Sequence, residues 1–159
     1  MKQHKKDVIW LLLWVILLLS VSGFLGMVTQ QNIATWYNTL KRSPLSPPNY
    51  LFGIVWPILY CMIGTSGWLM WQMPRYDGHA IIRYAYILQL VLNWLWTPLF
   101  FSYHFIGWSL FCLFLIVVTV MFLILRLYKL NRIAASLLLP YLAWLLFATH
   151  LHVYVWLYN

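Results

Sequence analysis

The stretch GWSLFCLFLIVVTVMFLILRLY, Gly107–Tyr128, runs for twenty-two residues with Arg126 as its single charge. A bilayer's hydrocarbon core is about 30 Å thick and takes about 20 helical residues to cross. Inside lipid the backbone must satisfy its own hydrogen bonds, which leaves helices and closed barrels. This run is too long and too uniformly apolar for a barrel strand, so it predicts a membrane-spanning helix. Four further stretches read the same way: Val8–Val28, Tyr50–Gln72, Ile81–Phe101 and Ile133–Trp156. The expected fold is therefore an all-α membrane protein, a bundle of five transmembrane helices. No internal repeat, low-complexity tract or linker divides the chain, so residues 1–159 are expected to form one domain.

Composition agrees. The chain is 64% hydrophobic with a mean hydropathy of +0.80, and only 8% of it is charged. A soluble domain carries about a quarter charged residues. Two acids, Asp7 and Asp77, stand against ten Lys plus Arg, and there are eleven Trp. Two acids are too few for paired-carboxylate hydrolysis, carboxylate–metal clusters or an intramembrane acidic proton relay. The bases are too few and too scattered between apolar blocks for nucleic acid; the lipid bilayer is the expected partner. Cys61 and Cys112 fall inside apolar runs and read as small buried hydrophobes.

Basic residues near span ends set the orientation. The side holding the N-terminus has Lys2, Lys5, Lys6, Arg75, Arg83, Arg126, Lys129 and Arg132, whereas the other has only Lys41 and Arg42. Eight against two predicts a multi-pass protein of the cell (inner) membrane, N-terminus cytoplasmic and C-terminus outside. Lys2–Lys6, Val8–Leu19 and the small residues Ser20, Ser22 and Gly23 resemble a signal peptide. The apolar run continues through Val28, however, with Trp10 and Trp14 as interfacial anchors, so a retained span is expected.

One connection is long. In Thr29–Pro48, Asn32 is placed to cap a short helix reaching about Arg42, with Ile33, Trp36, Tyr37 and Leu40 forming an apolar stripe. Ser43-Pro44-Leu45-Ser46-Pro47-Pro48 then imposes a stiff, extended return. The stripe and the prolines together predict a lid packed on the helix ends.

Polar side chains within spans should face inward. Asn93 lies about 12 Å below the outer end of its span, at 1.5 Å per residue. Trp56 and Tyr60 reach similar depths, Trp96, Thr97 and Phe100 follow Asn93, and Trp144 and Ala148 share one helix face. Depth gathers Trp56, Asn93, Trp96 and Trp144 into the outer half, beneath the lid, without showing that they meet. Pro57, Pro98 and Pro140 free the carbonyls of Gly53, Trp94 and Ser136, which either merely kinks the spans or splays them around a cavity. Gly64, Gly67 and Ser66, and Ser22 with Gly26, should allow close helix approach. No GxxxG occurs, so a homodimer has no packing seam behind it. Trp10, Trp36, Trp68, Trp71, Trp108 and Trp156 fit an interfacial belt. Trp14, Trp56, Trp94, Trp96 and Trp144 lie deeper, as core packing or as stacking surfaces for a flat conjugated ligand. His150 and His152 point about 200° apart and cannot chelate one metal together. His104 lies in a tight loop. None of the three has a carboxylate partner, so no metal site is expected, and no cofactor.

Several strings, in order, are distinctive. Thr35-Trp36-Tyr37 with Ser43…Pro47-Pro48, then Phe52-Gly53-Ile54-Val55-Trp56 with Leu59-Tyr60, resemble the lid and second helix of the TspO/MBR family of tryptophan-rich sensory and translocator proteins. Leu92-Asn93-Trp94, Pro98-Leu99-Phe100-Phe101 and Gly107-Trp108 resemble its third helix and following turn. Pro140-Tyr141-Leu142-Ala143-Trp144 with Phe147-Ala148-Thr149 is similar to its fifth. The resemblance implies a five-helix fold with a ligand pocket beneath the first loop. It implies porphyrins, haem-related tetrapyrroles, cholesterol or synthetic benzodiazepine-type drugs as ligands, and a receptor or carrier with a sensory role. Carried over by motif, Tyr37 is a lid contact, Trp56, Trp144 and Phe100 are aromatic walls, Asn93 is a polar handle and Ala148 a small shaping position. Light-dependent porphyrin degradation, which would involve Trp56 and Trp144, is an implied alternative, and a small-molecule transporter is another. No catalytic residue is otherwise expected. Two departures stand out. Leu45 occupies the place of the family's lid Trp, and Tyr154 is followed by no base, which leaves sterol recognition at the C-terminus weakly supported.

Overall fold

The computed structural model describes residues 2–74 and 78–159, and of residues 2–6 and Ala34 the backbone only. The side chains of Lys2, Lys5, Lys6 and Arg75 in the charge tally, and the acid Asp77, therefore lie outside the described residues. Five helices are long and apolar enough to cross a membrane. They are α1 (Lys2–Thr35), α2 (Tyr50–Trp71), α3 (His79–Thr97), α4 (Ile106–Tyr128) and α5 (Arg132–Tyr158). A 3₁₀ turn, Tyr37–Thr39, follows α1, and a π turn, Pro98–Ser102, extends α3. The protein is thus the all-α five-helix membrane bundle that the apolar runs predict.

Contacts run α1 to α2, α2 to α5, α5 to α4 and α4 to α3, and α3 with its π turn returns to α1. The helices therefore close into a ring. α1 is the loosest member, with 6% of its most apolar window buried. Lipid already solvates apolar side chains, so contacts depend on close fit and on hydrogen bonds between helices. Tyr86 of α3 lies across Gly67 of α2, and its hydroxyl donates to the Ile63 carbonyl at 2.9 Å. Ser66 Oγ donates to the Ala134 carbonyl of α5 at 2.7 Å. Gly64 receives Leu18 and Val15 of α1, each 3.1 Å from where a Cβ would stand. Close approach was also expected at Gly26, but nothing lies within 4 Å of a Cβ there.

α3 carries the polar stripe. His79, Tyr86, Gln89, Asn93 and Thr97 are all buried and recur at helical spacings along its inner face. Gly78 precedes it with φ +89°, a left-handed conformation that glycine adopts without cost. Asn131 opens α5 in an extended conformation, its side chain accepting from the Ala134 N–H at 3.1 Å.

Two local expectations change. No separate helix starts at Asn32. No proline or glycine interrupts residues 27–35, so α1 propagates through them to Thr35, and Asn32 Nδ2 donates back to the Val28 carbonyl at 2.9 Å. Pro98 does more than kink its span. Having no N–H to return, it opens a wider turn in which Tyr103 N–H reaches the Pro98 carbonyl at 2.9 Å.

Candidate functional site

At the end of the ring that carries the α1–α2 loop, the helices part around a cavity of about 260 Å³. Its wall comes from α1, the 3₁₀ turn, α2, α3 with its π turn, and α5; α4 contributes nothing to it. Tyr37, Trp56, Asn93, Trp96, Phe100, Trp144 and Ala148, the seven residues singled out from sequence, all line it. Trp14 and Trp94, the other deep indoles, pack against the core instead.

Each wall residue is held by its neighbours. Trp56 lies 5.7 Å from Tyr60 and 6.5 Å from Tyr141 between ring centres. Trp144 meets Phe52 edge-on at 5.8 Å. Trp96 and Phe100, the latter buried in the π turn, stack at 5.5 Å and 12°. At the cavity's deep end Tyr60 donates to Asn93 Oδ1 at 2.5 Å, and Asn93 Nδ2 donates to the Tyr141 hydroxyl at 2.9 Å. Three helices thus share one buried polar chain. No Asp, Glu, Lys or Arg lines the cavity among the described residues. Hydrogen-bonding groups are few within a largely apolar surface, the usual make-up of a small-molecule site.

The loop closes one end. Ile33 and Tyr37 form a second apolar cluster with Phe100, Phe101 and Val155, and Leu40 packs against it. The stripe read from sequence therefore does face inward, although α1 rather than a separate helix delivers its first part. Burial pushes the Tyr37 phenol up, while the Arg42 guanidinium, 5.3 Å from the ring centre, pulls it down. The phenol stays neutral at ordinary pH. Lys41 N–H donates to Asn159 Oδ1 at 2.9 Å, and Asn159 Nδ2 returns to the Lys41 carbonyl at 3.1 Å. Asn159 thereby clasps the loop. Trp36 belongs to this lid more than to an interfacial belt, stacking on His104 at 4.0 Å and meeting Phe100 at 5.2 Å. Leu45 is 63% exposed and lies off the cavity wall.

The flank between α1 and α2 is thin. Gly23, Gly26 and Gly53 line the cavity yet are exposed, with nothing within 4 Å of a Cβ at any of them. His152 is one of several wall residues, with Gln30, Asn49, Leu151 and Val155, that the sequence did not single out. It was weighed only as a chelating partner for His150, which is exposed. Its spacing carried the signal, since 144, 148 and 152 recur at intervals of four and share a face.

Residues 12–157 match the TspO/MBR family. The chain is 37% identical over 123 residues to the human "Translocator protein", covering 76% of this chain and 73% of that protein. It is 34% identical over 138 residues to the "Tryptophan-rich protein TspO" of Archaeoglobus fulgidus, covering 86% and 89%. It is 28% identical over 125 residues to "Protein CrtK" of Rhodobacter capsulatus, covering 78% of each. With an aromatic cavity under a proline-stiffened lid in a five-helix ring, and with these likenesses along most of its length, the chain belongs to the TspO/MBR family.

Proposed function

We propose that this protein is an integral membrane receptor or carrier that binds a flat, amphipathic, porphyrin-like ligand in the cavity beneath its lid. The observation that carries the reading is the composition of that wall. Trp56, Trp96, Phe100 and Trp144 present aromatic surface around Asn93, and no charged side chain stands among the described lining residues. A conjugated macrocycle gains from such surfaces by stacking, and an indole N–H can meet a carbonyl or carboxylate at its edge. Family membership supports the same ligand class.

Protoporphyrin titrated into purified protein should quench tryptophan fluorescence saturably. Trp56→Phe and Trp144→Phe should each weaken binding about fivefold, the equivalent of about 1 kcal/mol for a lost aromatic contact. Unchanged quenching curves in both variants would remove the cavity from consideration.

We also propose that the lid faces outward and the N-terminus lies in the cytoplasm, on the tally of eight bases against two. A phosphatase fused after Asn159, active only when exported, should be active. A green fluorescent protein fused there that glows in the cytoplasm would reverse the orientation.

A further inference from the structure

His152 is a buried polar wall residue with no task in the proposed stacking site. It follows Trp144 and Ala148 along one face of α5 and is only 3% exposed. Its Nε2 lies 3.0 Å from the Ile106 carbonyl oxygen and 3.2 Å from Ser109 Oγ. A carbonyl oxygen can only accept, so Nε2 carries the proton and the neutral ring keeps its lone pair on Nδ1. Ser109 Oγ lies within donating reach of the Phe105 carbonyl at 2.6 Å and the Ile106 carbonyl at 3.0 Å, which leaves it free to accept from the ring. Nδ1 has no hydrogen-bond partner among the described residues and is not sealed off by packing. The residue is otherwise enclosed, and the cavity is the open space that its side chain borders. Phe100 at 4.5 Å and Trp96 at 5.9 Å brace the ring.

Proteins prepare a metal-binding histidine in this way. Donation of one ring N–H to a backbone carbonyl fixes the tautomer, orients the ring and raises the basicity of the other nitrogen. A bare ion would find little else here, because no cluster of three His, Cys, Asp or Glu occurs among the described residues. A metal already held in plane by a macrocycle needs only an axial donor. The aromatic walls can take the faces of such a macrocycle. Resting on the tetrapyrrole reading, we infer that the cavity favours metal-centred tetrapyrroles over metal-free ones, with His152 Nδ1 as the axial ligand. The imidazole lone pair displaces water or halide from the metal. No electron is transferred and no proton moves.

Ferric haem and metal-free protoporphyrin, titrated separately into the wild type, His152→Gln and His152→Gly, test this. The wild-type haem complex should show the absorption and electron-spin spectra of imidazole-ligated iron. Both variants should lose that signature, with haem affinity falling about tenfold or more and protoporphyrin affinity moving by less than about twofold. Glutamine carries its amide nitrogen at about the distance of Nε2 and keeps a donor for the Ile106 carbonyl, so it controls for loss of that contact. Free imidazole added to His152→Gly should restore the spectrum. Haem spectra and affinities alike in all three proteins would overturn the axial assignment. Equal losses for haem and protoporphyrin would also overturn it, in favour of a hydrogen bond from a pyrrole N–H. If neither ligand binds the wild type, the tetrapyrrole reading itself fails.

Discussion

Gly67→Leu is expected to yield no folded protein, and Gly67→Ala a bundle weakened by up to about 2 kcal/mol. A Cβ at Gly67 would run into the Tyr86 hydroxyl and the ring carbons beside it. Tyr86 cannot swing aside, since it is fully buried and its hydroxyl is tied to the Ile63 carbonyl. Two effects oppose each other. Alanine favours a helix over glycine by about 1 kcal/mol, whereas overpacking a filled core costs about 1–3 kcal/mol and occasionally more. The ring atoms give the clash the upper hand, because α2 or α3 must shift as a body to relieve it. Tyr86→Leu supplies the control: combined with Gly67→Ala it should recover much of the loss. Denaturant unfolding in detergent would read all three variants. A Gly67→Ala protein as stable as the parent would mean that this contact is looser than described.

Asn93→Leu should cost about 2–6 kcal/mol, because two buried tyrosine hydroxyls each lose a partner at about 1–3 kcal/mol apiece. Tyr60 and Tyr141 are both nearly inaccessible, and Tyr141 is not on the cavity wall, so a cavity water cannot reach it. The buried chain also joins α2, α3 and α5 at the cavity's deep end, and its loss should loosen that region before the rest. Removing all three polar groups together, as Tyr60→Phe, Asn93→Leu and Tyr141→Phe, should restore most of the stability, since nothing buried is then left unpaired. Ligand binding should not return with it if Asn93 is the cavity's polar handle. Unfolding curves and protoporphyrin titrations on the single and triple variants separate the two roles. A triple variant no more stable than Asn93→Leu would show that packing, not hydrogen bonding, governs this position.

The thin flank formed by Gly23, Gly26 and Gly53 sets the conditions for both binding experiments. Lipid or detergent can approach the cavity there, so affinities belong in one fixed detergent or one bilayer composition.

The amino-acid sequence alone established the five spans, the inward stripe of the first loop and the set of aromatic and polar residues gathered near it. Lipid imposes long continuous apolar runs, and those are read without knowing any contact. The same solvent hides the rest. Where Leu, Val and Phe are as well solvated by lipid as by protein, apolar periodicity does not say which face of a helix turns inward. α2 and α5 are apolar nearly all round, so neither the ring order nor the partners of Gly67 and Ser66 could be read from them. α3 is the exception, since its polar stripe marks its inner face. The continuation of α1 past Asn32 was likewise decided by helix propagation against a local cap. Only the tertiary structure joined Tyr60, Asn93 and Tyr141 into one chain and pinned His152 to the Ile106 carbonyl. Those contacts join residues dozens of positions apart, and they depend on how three or more helices rotate against one another, which no single helix encodes.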